Sequence, residues 1–402
     1  MMNILVVSQY YHPEPFRITD ICESLVKKDH NVTVLTGLPN YPEGKVLPEY
    51  KFGKNRYEII NGVIIKRTFE IGRGNCKSKL FLNYFSFSIS ASIKAYFTKD
   101  KYDVILFNQL SPIMSGIPAL VYKKRHKKKI LLYCLDLWPA SLAAGGLKKD
   151  SIIYNLFHRI SKFIYKSADK ITVTSSMFKQ YFENTLEINS NDIDHLPQYA
   201  EDLFSEKYFS ENNSTYAKNT YDFVFAGNIG DMQSVETIIK AAYELKDYKN
   251  IIFHIVGDGS KLNQCKKLIK TLSLKSVKLY GRRPLSDMPK FYSKADAMLV
   301  TLKDNDNISN TLPGKIQSYM AFGKPIIGAI NGEGQKVIQD SECGFCCDAE
   351  DYKSLAKLIL KFSKVDNKEI LSKNSYNYYN EKYNKEIFIK KLEEALIELE
   401  DK

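Results

Sequence analysis

Two doubly wound, Rossmann-like α/β domains are what this sequence predicts, and three observations carry the prediction. Short apolar runs suited to strands buried on both faces alternate with stretches whose apolar residues recur at helical spacing. That alternation stops at a polar stretch over 201–220, EDLFSEKYFSENNSTYAKNT, and then starts again. The length, 402 residues, fits two domains better than one core. The expected layout is a first domain over 1–200, a linker over 201–220 and a second domain over 221–384. Residues 385–402 are expected to form a helix that returns to the first domain.

In the first half, Ile4–Val7 is the opening strand, and Met1–Tyr11 reads as part of it rather than as a basic leader with a cleavage site. Pro15–Lys28 follows as a helix with Ile18, Ile21, Leu25 and Val26 on one face. Val32–Leu35 is the next strand, ending in a Gly- and Pro-rich loop over 36–44. Further strands fall at Val63–Lys66, Val104–Phe107, Ile130–Cys134 and Ile171–Thr174, with helices near 79–98, 112–124, 151–168 and 176–183. In the second half, strands at Phe223–Ala226, Ile251–Val256, Val277–Tyr280 and Ala297–Val300 alternate with helices at Val235–Leu245, Lys261–Leu272 and Met288–Lys294. Ser309–Glu333 then reads as a loop, a helix over 314–322, a tight turn at Gly323, a buried strand Pro325–Ile330 and a second glycine-bearing loop. Lys385–Leu399 is amphipathic, with Ile387, Phe388, Leu392, Ala395 and Leu396 as its apolar set.

The net charge of +12 is unevenly placed, because residues 1–200 hold 28 basic against 17 acidic residues. A basic half without a nucleic-acid motif points to an anionic membrane face or a phosphorylated partner; the alternative is ordinary solvated surface. Two stretches sharpen the membrane reading. Lys79–Phe97 carries six aromatics among small polar residues, and Lys123–Lys129 is a dense basic run. A core-facing helix is the competing account of the first. No apolar run is long enough to span a bilayer. The seven cysteines, at 22, 76, 134, 265, 343, 346 and 347, suggest reduced thiols in a cytosolic protein. Cys343–Cys347 contains a CxxC without a second pair at zinc spacing, so no metal site is expected.

The chemistry-bearing stretches follow strands. Three glycine turns, Gly227-Asn228-Ile-Gly230, Gly257-Asp258-Gly259 and Gly281-Arg282-Arg283, would let backbone approach a ligand, or are simply tight strand-to-helix turns. None has the full GxGxxG pattern, which disfavours a dinucleotide cofactor. Pro313 and Gly314 open the helix at 314–322, whose free N–H groups attract phosphate. Lys315 stands in its first turn, where a cation is unfavourable unless an anion sits close by. Together these residues form a plausible nucleotide-diphosphate cradle. Glu333 would bind sugar or ribose hydroxyls, or be a solvated loop acid. In the first domain, Asp136 in DLWP is the candidate to orient or deprotonate an acceptor hydroxyl, with Glu14 second; Asp136 as a helix cap is the alternative.

With these residues in view, the chain resembles a family 4 glycosyltransferase of the GT-B architecture along nearly its whole length. The markers are SQYYHPEPFRITD, TGLPNYPEG, DLWP, VTSSMF, FAGNIGDMQS, IVGDG, LYGRRP and LPGKIQSYMAFGKPIIGAINGE. As a set they are similar to the bacterial branch that includes L-fucosamine transferases of O-antigen and capsule assembly. The resemblance implies two domains facing a cleft, a UDP-sugar bound by the second and a polyprenyl-diphosphate-linked saccharide by the first. It also implies a metal-independent cytosolic enzyme, peripheral on the inner face of the membrane. Many members carry two glutamates with seven residues between them; the matching positions here are Asn310 and Ser318. The Arg and Lys often found after the first glycine turn are absent, and Gln233 stands nearby. Expectation therefore moves to Lys315, Arg282, Arg283, Glu333 and backbone amides. Two other readings remain at this point: a UDP-sugar 2-epimerase of the same plan, and a non-catalytic assembly protein on the membrane surface.

Overall fold

The computed structural model describes residues 1–74, 76–204 and 220–401, so most of the expected linker lies outside the described residues. Two compact units emerge. The first comprises Met1–Thr174, Phe178–Leu196 and Ile389–Lys402; the second comprises Ser175–Met177 and Pro197–Phe388.

The first unit is an eight-stranded sheet with the order β3-β4-β2-β1-β5-β6-β7-β8. Its strands are β1 (Asn3–Val7), β2 (Asn31–Thr36), β3 (Tyr57–Ile60), β4 (Val63–Arg67), β5 (Val104–Gln109), β6 (Lys129–Cys134), β7 (Lys170–Val173) and β8 (Ile193–His195). All neighbours are parallel except the β3–β4 hairpin. The central strands are apolar on both faces because helices cover both, as in β5, where all six residues are buried. Strand order reverses between β1 and β5, and the carboxyl ends of such a pair frame a crevice where open α/β sheets bind ligands.

Helix Lys77–Phe97 is two-faced. Tyr84, Phe87, Ala91 and Ala95 enter the core, while Leu82, Phe85, Ile89, Ile93 and Phe97 are exposed. Core packing and surface apolarity are thus both present on one element. Among the described residues, no helix is long and apolar enough to cross a membrane.

The second unit has a six-stranded, all-parallel sheet ordered β11-β10-β9-β12-β13-β14. These strands are β9 (Tyr221–Ala226), β10 (Ile251–Val256), β11 (Val277–Gly281), β12 (Ala297–Thr301), β13 (Ile326–Ala329) and β14 (Gly344–Cys347). Its reversal point lies between β9 and β12. The expected loop around Glu333 is instead the start of helix Glu333–Asp340. Gly332 at φ 70° makes the turn into it, and a Cβ there would lie 2.1 Å from the Ser309 carbonyl oxygen. The cysteines are all free thiols, and Cys346 and Cys347 are half-buried on the edge strand β14.

Candidate active site

In the second unit, helix Gly314–Ala321 follows β12 and is bolted to the end of β9. Ile316, Tyr319 and Met320 recur at helical spacing and are fully buried. The Tyr319 hydroxyl donates to the Ala226 carbonyl oxygen at 3.0 Å and accepts from the Ala226 N–H at 3.1 Å. This places Lys315 over the β9 carboxyl end. Its Nζ lies 3.8 Å from the centroid of the Phe225 ring, buried and without a hydrogen-bond partner. Burial pulls the ammonium's pKa down from 10.5 to about 7. A Cβ on Gly227 would lie 3.1 Å from that nitrogen, so glycine at this position leaves the ammonium its space.

The other glycine turns work differently from the expectation. A Cβ on Gly257 would sit 1.8 Å from the Gly227 carbonyl oxygen, and one on Gly259 would sit 2.5 Å from the Ile229 backbone. Their missing side chains admit the neighbouring loop, which Ile229 N–H to Asp258 O at 2.8 Å also ties down. Gln233 likewise holds its own loop, accepting from Gly230 N–H and Asn228 Nδ2 at 3.2 Å each. Asp258 accepts from Gly259 N–H at 2.7 Å. The structure therefore brings Gly227, Asn228, Gln233, Gly257, Asp258, Gly259 and Lys315 into one cluster. Pro313 precedes the helix and Gly314 begins it, exposed. Arg282 and Arg283 are exposed just past β11, two strands from β9; at about 5 Å per strand their long side chains can reach towards it.

Glu333 departs from its expected role. It is buried, and its carboxylate accepts from Ser176 Oγ at 2.7 Å, Ser176 N–H at 3.2 Å and Met177 N–H at 3.3 Å. Its oxygens are engaged in holding the 175–177 segment to this unit. Ser318 donates to Glu201 at 3.0 Å, so a carboxylate does stand beside one of the two positions where the family pattern has glutamate. No local signal in the sequence links positions 201 and 318.

In the first unit, Glu14 lies past β1, buried, accepting backbone N–H groups of Tyr11, Asn40 and Tyr41 at 3.2, 2.8 and 2.7 Å. Burial raises it to about 7 against those three donors. Asp136 lies past β6 and accepts from the Ser111 hydroxyl, which itself accepts from the Trp138 indole N–H at 2.7 Å. Burial raises the Asp136 pKa as well. Helix Ala140–Ala144 is preceded by Pro139, so Asp136 is not its cap.

Sequence reasoning missed Glu70. It is buried and accepts from Gln9 at 2.7 Å, the Leu38 N–H at 3.1 Å and the Asn83 amide. Burial, with Glu14 nearby, pushes it up to about 8. Beside this network the Tyr10 hydroxyl is buried without a hydrogen-bond partner. Tyr10 stacks on Phe16 at 5.1 Å, and Arg73 lies over Tyr41 at 5.7 Å. The aromatic letters of SQYYHPEPF were the available signal for this cluster.

Comparisons with known proteins agree with this architecture. The family model described as Glycosyltransferase Family 4 matches residues 17–198, and the model described as Glycosyl transferases group 1 matches 206–382. The chain belongs to the family 4 glycosyltransferases, of GT-B fold. It is 29% identical over 264 residues to WbjE of Pseudomonas aeruginosa, named as a glycosyltransferase; the match spans 63% of this chain and 64% of that protein. It is 22% identical over 339 residues to WcaI of Escherichia coli, named for colanic acid biosynthesis, covering 80% and 82%. Among solved structures, Anabaena HepE in complex with UDP superposes with a TM-score of 0.72 at 15% identity, covering 99% of this chain and 100% of that one.

Proposed function

We propose that this glycosyltransferase moves a hexosamine from a UDP-sugar to a lipid-linked saccharide in surface polysaccharide assembly, working against an anionic membrane face. The observation that carries the donor half is the buried, unpartnered ammonium of Lys315 beside Gly227, at the reversal point of the second sheet. An unpaired buried cation is costly, and a diphosphate is the partner that would make the arrangement favourable. The free N–H groups at Gly314 and Lys315 add a second anion-attracting feature. The relatives support the same reading: HepE was solved with UDP, and WcaI is named for colanic acid.

In the proposed reaction, the bond from the anomeric carbon to the UDP β-phosphate oxygen breaks as the acceptor hydroxyl attacks. Charge gathers on the leaving diphosphate, where Lys315 and Arg282 or Arg283 stabilise it. The family resemblance implies retention, with the donor's own phosphate accepting the hydroxyl proton. Asp136 and Glu14 then position the acceptor rather than deprotonate it. The scheme assigns no step to a metal ion. A panel of UDP-sugars offered with lipid extract tests this: labelled sugar passing into the lipid phase supports it, and interconversion of free UDP-sugars without transfer would sink it.

A further inference from the structure

The first unit carries a groove of about 1000 Å³ that takes no part in the site described above. It runs between helices Ile117–His126 and Ile152–Lys166, with Phe85 of helix Lys77–Phe97 on its flank. Its walls are apolar: Phe85, Ile117, Leu120, Val121, Ile160 and Phe163. Phe163 is 66% exposed and Phe85 45%, large apolar surface left in water. The rim is cationic, with lysines of the 123–129 run and Arg159. Two of those cations are spoken for, since Lys123 and Lys129 pair with Asp169 at 2.6 and 3.4 Å. Among the described residues, Lys124, Lys127, Lys128 and Arg159 make no ion pair.

Helix capping accounts for part of this charge, because a helix carboxyl end carries only about half a negative charge. Four unneutralised cations exceed that several-fold. Lysine stems can line apolar walls while their ammonium groups stay at the edge, so one groove serves a hydrocarbon and an anion together. A bilayer surface would be met by a convex stripe, which Leu82, Ile89, Ile93 and Phe97 on the neighbouring helix supply. A concavity suits a single chain drawn out of the bilayer. We propose that this groove holds the prenyl chain of an isoprenoid phosphate, with its phosphate among Lys124, Lys127, Lys128 and Arg159. The inference rests on the lipid-linked acceptor of the proposed function and gives that acceptor's anchor a place.

Calorimetric titration of the full chain with farnesyl phosphate, farnesol and inorganic phosphate tests it. Farnesyl phosphate should bind at least tenfold more tightly than either of the others. The double variant Lys124→Glu/Lys127→Glu and the variant Phe163→Ser should each lose tenfold or more, and their exposed positions leave folding intact. UDP titration of the same proteins should be unchanged. Farnesol binding as tightly as farnesyl phosphate, inorganic phosphate doing the same, or variants equal to parent would each overturn the proposal. So would a change of oligomeric state in the Phe163 variant without a change in lipid affinity, which would make the groove a self-interface. Binding of farnesyl phosphate with no binding of UDP would leave the groove standing and remove the donor site instead.

Discussion

The Lys315 ammonium stands 3.8 Å from the centre of the Phe225 ring, and its nitrogen meets no hydrogen-bond acceptor. A ring face offers a desolvated cation about 2 kcal/mol, well short of the cost of taking the charge out of water. The lysine is therefore held in a poor place for itself and a good one for a phosphate. Tyr319 fixes that place by tying the helix to Ala226.

Replacing Lys315 with methionine should stabilise the protein while removing its activity. An unfolded lysine keeps its proton to near 10.5, whereas this one releases it near 7. Between those values the unfolded chain binds the extra proton, so the lysine's contribution to stability improves as pH rises through that interval. Lys315→Met should raise unfolding free energy by roughly 4–5 kcal/mol at neutral pH, with the gain gone above about pH 10.5. Denaturant unfolding at several pH values reads this, and transfer should fall by ~10²-fold or more.

Binding of a diphosphate should also take up a proton. Above pH 7 the free site is largely uncharged, and an anion restores the ammonium by raising its pKa. UDP titrated at pH 8 in buffers of different ionisation enthalpy should show net proton uptake that Lys315→Met lacks. Affinity should decline as pH climbs above 7. A flat profile would count against charge on Lys315 as the attraction.

Glu70 sets an opposite trend in the first unit. Its folded pKa, about 8, lies above the unfolded carboxyl's 4.5. The stability it contributes is complete below about pH 4.5 and is lost as pH rises through 8. Glu70→Gln should flatten the decline in stability between pH 5 and 8, measured by thermal unfolding. An unchanged slope would mean the carboxyl is ionised throughout that range.

Gly257 makes a steric prediction. A methyl group there would overlap the Gly227 carbonyl oxygen at 1.8 Å, and φ of 146° disfavours a side chain. Gly257→Ala should cost about 2–3 kcal/mol of stability and weaken UDP binding, since the displaced loop abuts Lys315. Gly281 has open space around its Cβ position, so the same change there meets only the backbone penalty of φ 69°, roughly 1 kcal/mol.

The fold was legible in the sequence because its central strands are buried on both faces and stand out as runs, as Val104–Phe107 does within β5. The hairpin strand Tyr57–Ile60 and the edge strand Gly344–Cys347 were not read, since half-buried edges carry no such run. Lys315 stands out in the sequence because a cation in a helix's first turn contradicts the local electrostatics. Glu70 does not, because its meaning lies in donors from positions 9, 38 and 83 that only folding collects. Glu333 was misplaced for a related reason. A glycine-bearing stretch looks like a loop until the helix it begins, and the Ser176 and Met177 donors it meets, are seen.

The central claim is that the second unit holds a diphosphate against Lys315. A crystal of the full chain grown with UDP measures it most directly. The account requires β-phosphate oxygens within hydrogen-bond distance of Lys315 Nζ and the Gly314 or Lys315 N–H. Phosphate density away from that helix start, with Lys315 still stacked alone on Phe225, would contradict it.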